Sequence, residues 1–267
     1  MSMNDDIDDG FESFELEDAP VRPNLLGQVQ VAEDPDGAFD LIGHNLITSA
    51  RDCVAKFGDF HLALSGGKTP FPLYTRLMYD PMYRDFPWDR THLWIVDERR
   101  AAFDDDRNNF KHINEIIVQH ADIPAANVHP MPVDKGSEAA ELYEDELREI
   151  LGVRVPEEAR LDFVMLGMGD NGHTASLFPE TEVLHEQTKW IGDCFGPSVT
   201  PPDRVTMTYP LINNSRQIAF LVLGEGKAEM IQRVATGNDS FEEIPVKSII
   251  PERGVLTWYL DRASAGG

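Results

Sequence analysis

Six short apolar runs, QVQVA, FHLALS, THLWIVD, LDFVMLGM, QIAFLVLG and VLTWYLD, recur along this chain with longer helical patterns between them. Several are apolar almost from end to end, as strands covered on both faces are. The intervening segments AFDLIGHNLITSARDCVAKF and RNNFKHINEIIVQH carry apolar residues at mixed three- and four-residue spacing. SEAAELYEDELREIL opens on a serine that predicts a helix cap, and GEGKAEMIQRVATG closes on Gly237, a usual helix terminator. This alternation predicts the α/β class: a doubly wound, mostly parallel sheet with helices on both faces.

Residues 1–23 are acidic and poor in large apolar side chains, which predicts a disordered tail ahead of a single α/β domain over 24–267. The chain carries 47 acidic against 23 basic residues, a formal charge of −24. Such a surface repels a phosphate backbone, so nucleic acid is not an expected partner. An anionic small molecule remains open as a substrate if a few cations or backbone N–H groups meet its charge locally. Cys53 and Cys194 imply no disulfide framework. The N-terminus lacks the basic and apolar regions of a signal peptide, and no apolar run is long enough to span a bilayer. The expectation is a cytoplasmic protein without membrane contact.

In doubly wound sheets, ligands bind beyond the carboxyl ends of the strands. Three turns there stand out: SGGKTP after FHLAL, DERR after THLWIV, and GMGDNGHTAS after LDFVML. The first joins two glycines to Thr69-Pro70, read as a helix cap followed by proline in the first helical turn. Free N–H groups at such a helix start favour an anion. A Walker A loop needs a glycine five places before Gly67, where Leu62 stands. Ala63-Leu64-Ser65-Gly66-Gly67 resembles a nucleophile elbow, yet no histidine follows His185 to complete a serine esterase.

The second turn sets Asp97 and Glu98 beside Arg99 and Arg100, and an acid that holds Arg99 makes it a fixed fork for phosphate or carboxylate. The third contains G-x-G-x-x-G, and Asp193 stands roughly 20 residues further on, where a ribose-binding acid is expected. Against a dinucleotide site, Pro179 limits the following helix to about two turns, and GDCFGPSVTPP reads as irregular loop. The competing reading is a loop that presents His173 as a general base, with Thr174 and Ser176 adding hydroxyls. No metal-ligand spacing appears, and the remaining histidines are expected to be structural.

Together, LALSGGKTP, WIVDERR, LGMGDNGHTASLFP, PPDRVTMT, LVLGEGKAE and GVLTWYLD resemble the 6-phosphogluconolactonases, in order and spacing, from about Val29 to Asp261. GHTASLFP is the most specific of these. The resemblance implies a Rossmann-like fold with a few extra strands, and hydrolysis of 6-phospho-D-glucono-1,5-lactone without metal or nucleotide cofactor. It implies His173 as base with Asp170 and Asn171 beside it. It also implies a phosphate site from Ser65, Gly66, Gly67, Lys68 and Thr69, with Arg99, Lys227 and Arg204, and substrate contacts from Asp97, Gly169 and Gly172. Backbone N–H groups around Gly169 to Gly172 are the expected oxyanion donors.

The chain departs from the family pattern at Asn171, where aspartate is usual, and at Lys68, where serine is common. It departs again at Ala101-Ala102 and at Asn108-Asn109-Phe110. Two other functions stay open, a related aminosugar-phosphate isomerase or deaminase and a non-catalytic sugar-phosphate binder. The expected partner is a small sugar phosphate, with the chain acting as monomer or homodimer.

Overall fold

The computed structural model describes residues 21–152 and 159–267. Residues 1–20 of the expected tail lie outside the described residues, whereas Pro23, assigned to the tail, is buried.

The strands are β1 (Gln28–Ala32), β2 (Phe60–Leu64), β3 (Thr91–Ile95), β4 (Asp97–Arg99), β5 (Val128–His129), β6 (Phe163–Leu166), β7 (Ile191–Phe195), β8 (Asp203–Met207), β9 (Gln217–Val222) and β10 (Val255–Asp261). The helices are α1 (Pro35–Phe57), α2 (Phe71–Tyr79), α3 (Asn109–Ile113), α4 (Ala139–Leu151), α5 (Tyr209–Asn214), α6 (Ala228–Thr236) and α7 (Arg262–Ala265). Seven strands form one parallel sheet in the order β1-β10-β9-β6-β2-β3-β5. Every residue of β2 and β6 is buried, which explains why these runs read as continuously apolar.

From β2 the chain moves outward through β3 to β5; from β6 it moves the other way through β9 and β10. The two central neighbours therefore send their following turns apart, opening a crevice at their carboxyl ends. α1 begins earlier than its apolar pattern does. Asp34 accepts from the Gly37 N–H, Pro35 fills the first turn, and Gly58 at φ 91° closes the helix.

A second, antiparallel sheet runs β4-β8-β7 and carries the end of WIVDERR away from the main sheet. This corrects the reading of GDCF as loop: Ile191–Phe195 is strand β7. Gly192 and the prolines that follow obscured its pattern. Two capping expectations also change. Gly136 at φ 59° kinks the chain ahead of α4, so Ser137 lies in a 3₁₀ turn, and Glu138 takes the cap position without a side-chain bond. Likewise Pro70, not Thr69, occupies the cap position of α2, and no side chain caps it.

Candidate active site

The turns after β2 and β6 meet β4 and the start of α6 around one cleft. Ser65, Gly66, Gly67, Thr69, Asp97, Arg99, Gly169, His173 and Lys227 all line it, together with Asn109 and Ala175. Lys68, Asp170 and Asn171 are exposed and Gly172 and Arg204 buried, and none of the five is among the residues that line it.

In the first turn, the Ser65 hydroxyl donates to the Met165 carbonyl at 2.7 Å, and Tyr74 OH donates to the Ser65 carbonyl at 2.7 Å. Ser65 thus ties β2 to β6 and is not a nucleophile. Gly66 is required by packing: a Cβ there would stand 1.9 Å from Asn109 Oδ1. Gly67 adopts φ 92°, which favours glycine. Neither Gly66, Gly67 nor Lys68 gives its backbone N–H to a described acceptor, so the turn offers an anion three donors.

No helix follows His173. Thr174 and Leu177 bridge across a tight turn in which Ala175 has φ 50°, and the Thr174 hydroxyl donates to the Gly167 carbonyl at 2.9 Å. The dinucleotide reading fails here, because the helix that would hold a pyrophosphate is absent from this turn. Asp193, the candidate ribose acid, sits on β7 and pairs with Arg100. The Ser176 hydroxyl donates to Asp97 Oδ2 at 2.6 Å, so the two hydroxyls expected for substrate instead fasten the loop. Gly169 N–H donates to the His173 carbonyl, Gly172 N–H to the Gly169 carbonyl, and His173 N–H to Asn171 Oδ1. Gly169 and Gly172 are consequently not oxyanion donors; they give the turn its shape.

That shape is specific. A Cβ on Gly169 would lie 2.0 Å from His173 Cε1, and Gly172, at φ 75°, has Ile244 Cγ2 2.7 Å from where its Cβ would be. The ring of His173 rests on Phe178 at 4.7 Å between centroids, and its Nδ1 meets Asn171 Oδ1 at 2.6 Å. An amide oxygen only accepts, so Nδ1 carries the proton and Nε2 keeps its lone pair. No described residue engages Nε2. Burial lowers the His173 pKa, Asp97 opposes that shift, and Lys227 and Arg204 reinforce it.

The cations are arranged unevenly. Arg99 Nη1 donates to the Arg107 carbonyl at 2.7 Å, and across the β4–β8 ladder Arg99 stands opposite Arg204. Arg204 is 5% exposed; burial first, and then Arg99, depress its pKa. Two guanidiniums held side by side, neither within ion-pair distance of a described carboxylate, favour an anion nearby. Lys227 bonds to Asp170 and draws that carboxyl below its ordinary pKa.

A family match covers most of the chain. Residues 33–258 match the model of the glucosamine-6-phosphate isomerases/6-phosphogluconolactonase. The chain belongs to this family. It is 34% identical over 227 residues to the human GDH/6PGL endoplasmic bifunctional protein, covering 82% of this chain but 28% of that longer protein. To the 6-phosphogluconolactonase of Synechocystis it is 35% identical over 217 residues, 80% of this chain and 87% of that one. The crystal structure of 6-phosphogluconolactonase from Thermotoga maritima superposes with a TM-score of 0.72 at 27% identity, covering 88% and 99% of the two chains.

Asn109 is the cleft residue that sequence reasoning missed. It appeared as a departure beside Asn108 and received no role. The metal question also has a geometric answer at one place. Asp59, His61 and His92 bring ligand-type atoms within 4.8 Å of one another. However, Trp94 Nε1 donates to His61 Nδ1 at 3.1 Å, so the His61 proton sits on Nε2, and the His61 and His92 rings stack at 4.6 Å. Stacked rings do not aim their lone pairs at a common point, and the cluster does not fit a metal. Among the described residues, no helix is long and apolar enough to cross a membrane.

Proposed function

We propose that this protein hydrolyses 6-phospho-D-glucono-1,5-lactone to 6-phospho-D-gluconate, with His173 as general base. The observation that carries the reading is the one-sided engagement of the imidazole: Asn171 holds Nδ1, while Nε2 is left for the cleft. Nε2 takes a proton from the water that attacks C1, and the imidazolium returns it to the departing ring oxygen. A lowered pKa keeps the base unprotonated at neutral pH. The positive charges of Lys227 and Arg204 act on His173 through space in the same direction as burial and favour its neutral form.

Phosphate recognition falls to the free N–H groups of Gly66, Gly67 and Lys68, with Arg99 and Lys227 on the facing walls. Those contacts remain the same through the reaction, so they orient the lactone rather than lower its barrier selectively. Relatives that carry the lactonase name over most of their length support the same reading.

The test generates the lactone in situ and compares its disappearance with wild type, with His173→Ala and without protein. Acceleration by wild type and a loss of about 10²- to 10⁴-fold in kcat for the variant is the expected result. Ammonia release from glucosamine 6-phosphate, with no lactone hydrolysis, would overturn it in favour of a deaminase.

A further inference from the structure

Glu98 lies between two cleft residues on β4, yet its side chain points the other way and is 1% exposed. Its Oε1 accepts the N–H of Asn109 at 2.7 Å and of Arg99 at 2.8 Å, and its Oε2 accepts the N–H of Phe110 at 2.8 Å. The carboxylate therefore fixes where α3 begins. Asn109, the first residue of that helix, is itself buried and wedged between two walls of the cleft. Its Nδ2 donates to the Asp97 carbonyl at 2.8 Å, and its Oδ1 packs against the Cα of Gly66 so closely that no side chain fits there.

We propose that Glu98 is a positioning residue whose carboxylate, by holding Asn109 against the Gly66 turn, sets how tightly the cleft binds the phosphate of its substrate. The proposal rests on the sugar-phosphate reading above and adds a determinant of affinity remote from the reacting atoms. The chain of contacts is short: Glu98 to the Asn109 backbone, Asn109 to the Gly66 turn, and that turn to the anion through its free N–H groups. An acceptor of three N–H groups on two oxygens is a demand that a carboxylate meets. A glutamine of the same shape turns one oxygen into a donor that faces a backbone N–H.

The electrostatic setting agrees with a group kept for its geometry. Burial pushes the Glu98 pKa up to about 7 against the pull of its three N–H bonds, with Asp97 adding to the rise. Arg204 on β8 and Tyr143 on α4 are the other titratable groups that its charge reaches. No described basic side chain lies within ion-pair distance, so backbone dipoles hold the charge.

Steady-state lactone hydrolysis is measured for wild type, Glu98→Gln, Asn109→Ser and the double variant, and inorganic phosphate binding by calorimetry for the same proteins. Glu98→Gln is expected to raise KM and the phosphate Kd about tenfold, the size of one buried hydrogen bond, with kcat within about twofold of wild type. Asn109→Ser should do the same, and the double variant should be no worse than Asn109→Ser, because the two residues act in series. A fall in kcat at unchanged KM, or effects that multiply in the double variant, overturns the proposal. If Glu98→Gln does not fold, Asn109→Ser decides alone: a raised KM and Kd supports it and unchanged values overturn it. A wild-type protein that binds phosphate without hydrolysing lactone defeats the reaction assignment separately, and the phosphate Kd values then judge Glu98.

Discussion

Histidines occupy both ends of the parallel sheet, and the two sets are handled in opposite ways. At the amino ends of β2 and β3 and on the neighbouring β5, buried His61 and His129 and half-buried His92 form a layer with Trp94. His129 stacks on Trp94 at 3.8 Å, shares a proton with His92 at 3.0 Å and meets Glu146 Oε1 at 2.7 Å, while Trp94 donates to His61. At the carboxyl ends of β2 and β6, His173 has one ring nitrogen engaged and the other left open to the cleft. The residue type is the same; the difference lies in how many ring nitrogens the surrounding structure hydrogen-bonds, two at His129 and one at His173. A buried histidine with full partners fixes strand packing, and one with a single partner is available for proton transfer.

The comparison breaks if the roles prove interchangeable. His173→Ala carries the largest expected effect, the 10²- to 10⁴-fold loss in kcat given above, with a thermal midpoint near that of wild type. Gly169→Ala comes next. Its Cβ would collide with the His173 ring, which must swing away and release Asn171, so kcat should fall about 10²-fold while phosphate affinity holds. His129→Ala should invert the pattern: unfolding free energy drops by about 2–3 kcal/mol through the lost stacking on Trp94 and the lost bonds to His92 and Glu146, and kcat of the folded protein is unchanged. Denaturant titration and kinetics on each variant give the check. A catalytic defect in His129→Ala at full stability would sink the division of labour.

Much of the main sheet could be read directly. β10 coincides with VLTWYLD, because a parallel strand with both faces covered announces itself by an apolar run, and the edge strand β1 coincides with QVQVA, whose residues alternate between polar and apolar. The small antiparallel sheet could not be read this way. β4 is three residues long and polar, and β7 carries Gly192 and Asp193, so neither shows a period that propensity can detect. Within the site, the three strand-end turns were legible since glycine and charge at a strand's end have few structural uses. Asn109 was not, as its role comes from meeting Gly66 across the fold, forty-odd positions away in sequence but in contact in space. Thr174 and Ser176 illustrate the converse: hydroxyls beside a catalytic candidate look like ligands until their acceptors, Gly167 and Asp97, are seen.

The smallest effect sharpens the comparison further, since it concerns the partner of His173 rather than the ring. His129 has a carboxylate, Glu146, on its Nδ1; His173 has the neutral amide of Asn171 in the equivalent place. A neutral acceptor orients the ring without stabilising the imidazolium, and burial then lowers the His173 pKa. The base form is active, so kcat/KM should fall only as pH drops below the ordinary histidine value near 6.5. Stability follows the same direction. The unfolded chain takes up this proton before the folded one does, so the contribution of His173 is complete above about 6.5 and declines as pH falls through the lower folded pKa. Asn171→Asp places a charge at hydrogen-bond distance and should raise the His173 pKa by about one unit or more, moving the acid limb of kcat/KM to higher pH. At alkaline pH the variant should match or exceed wild type, because the ring keeps its orientation and its imidazolium gains a counter-charge. An acid limb that does not move would mean that the titrating group in the rate is not His173, and the one-partner histidine would lose its claim to the chemistry.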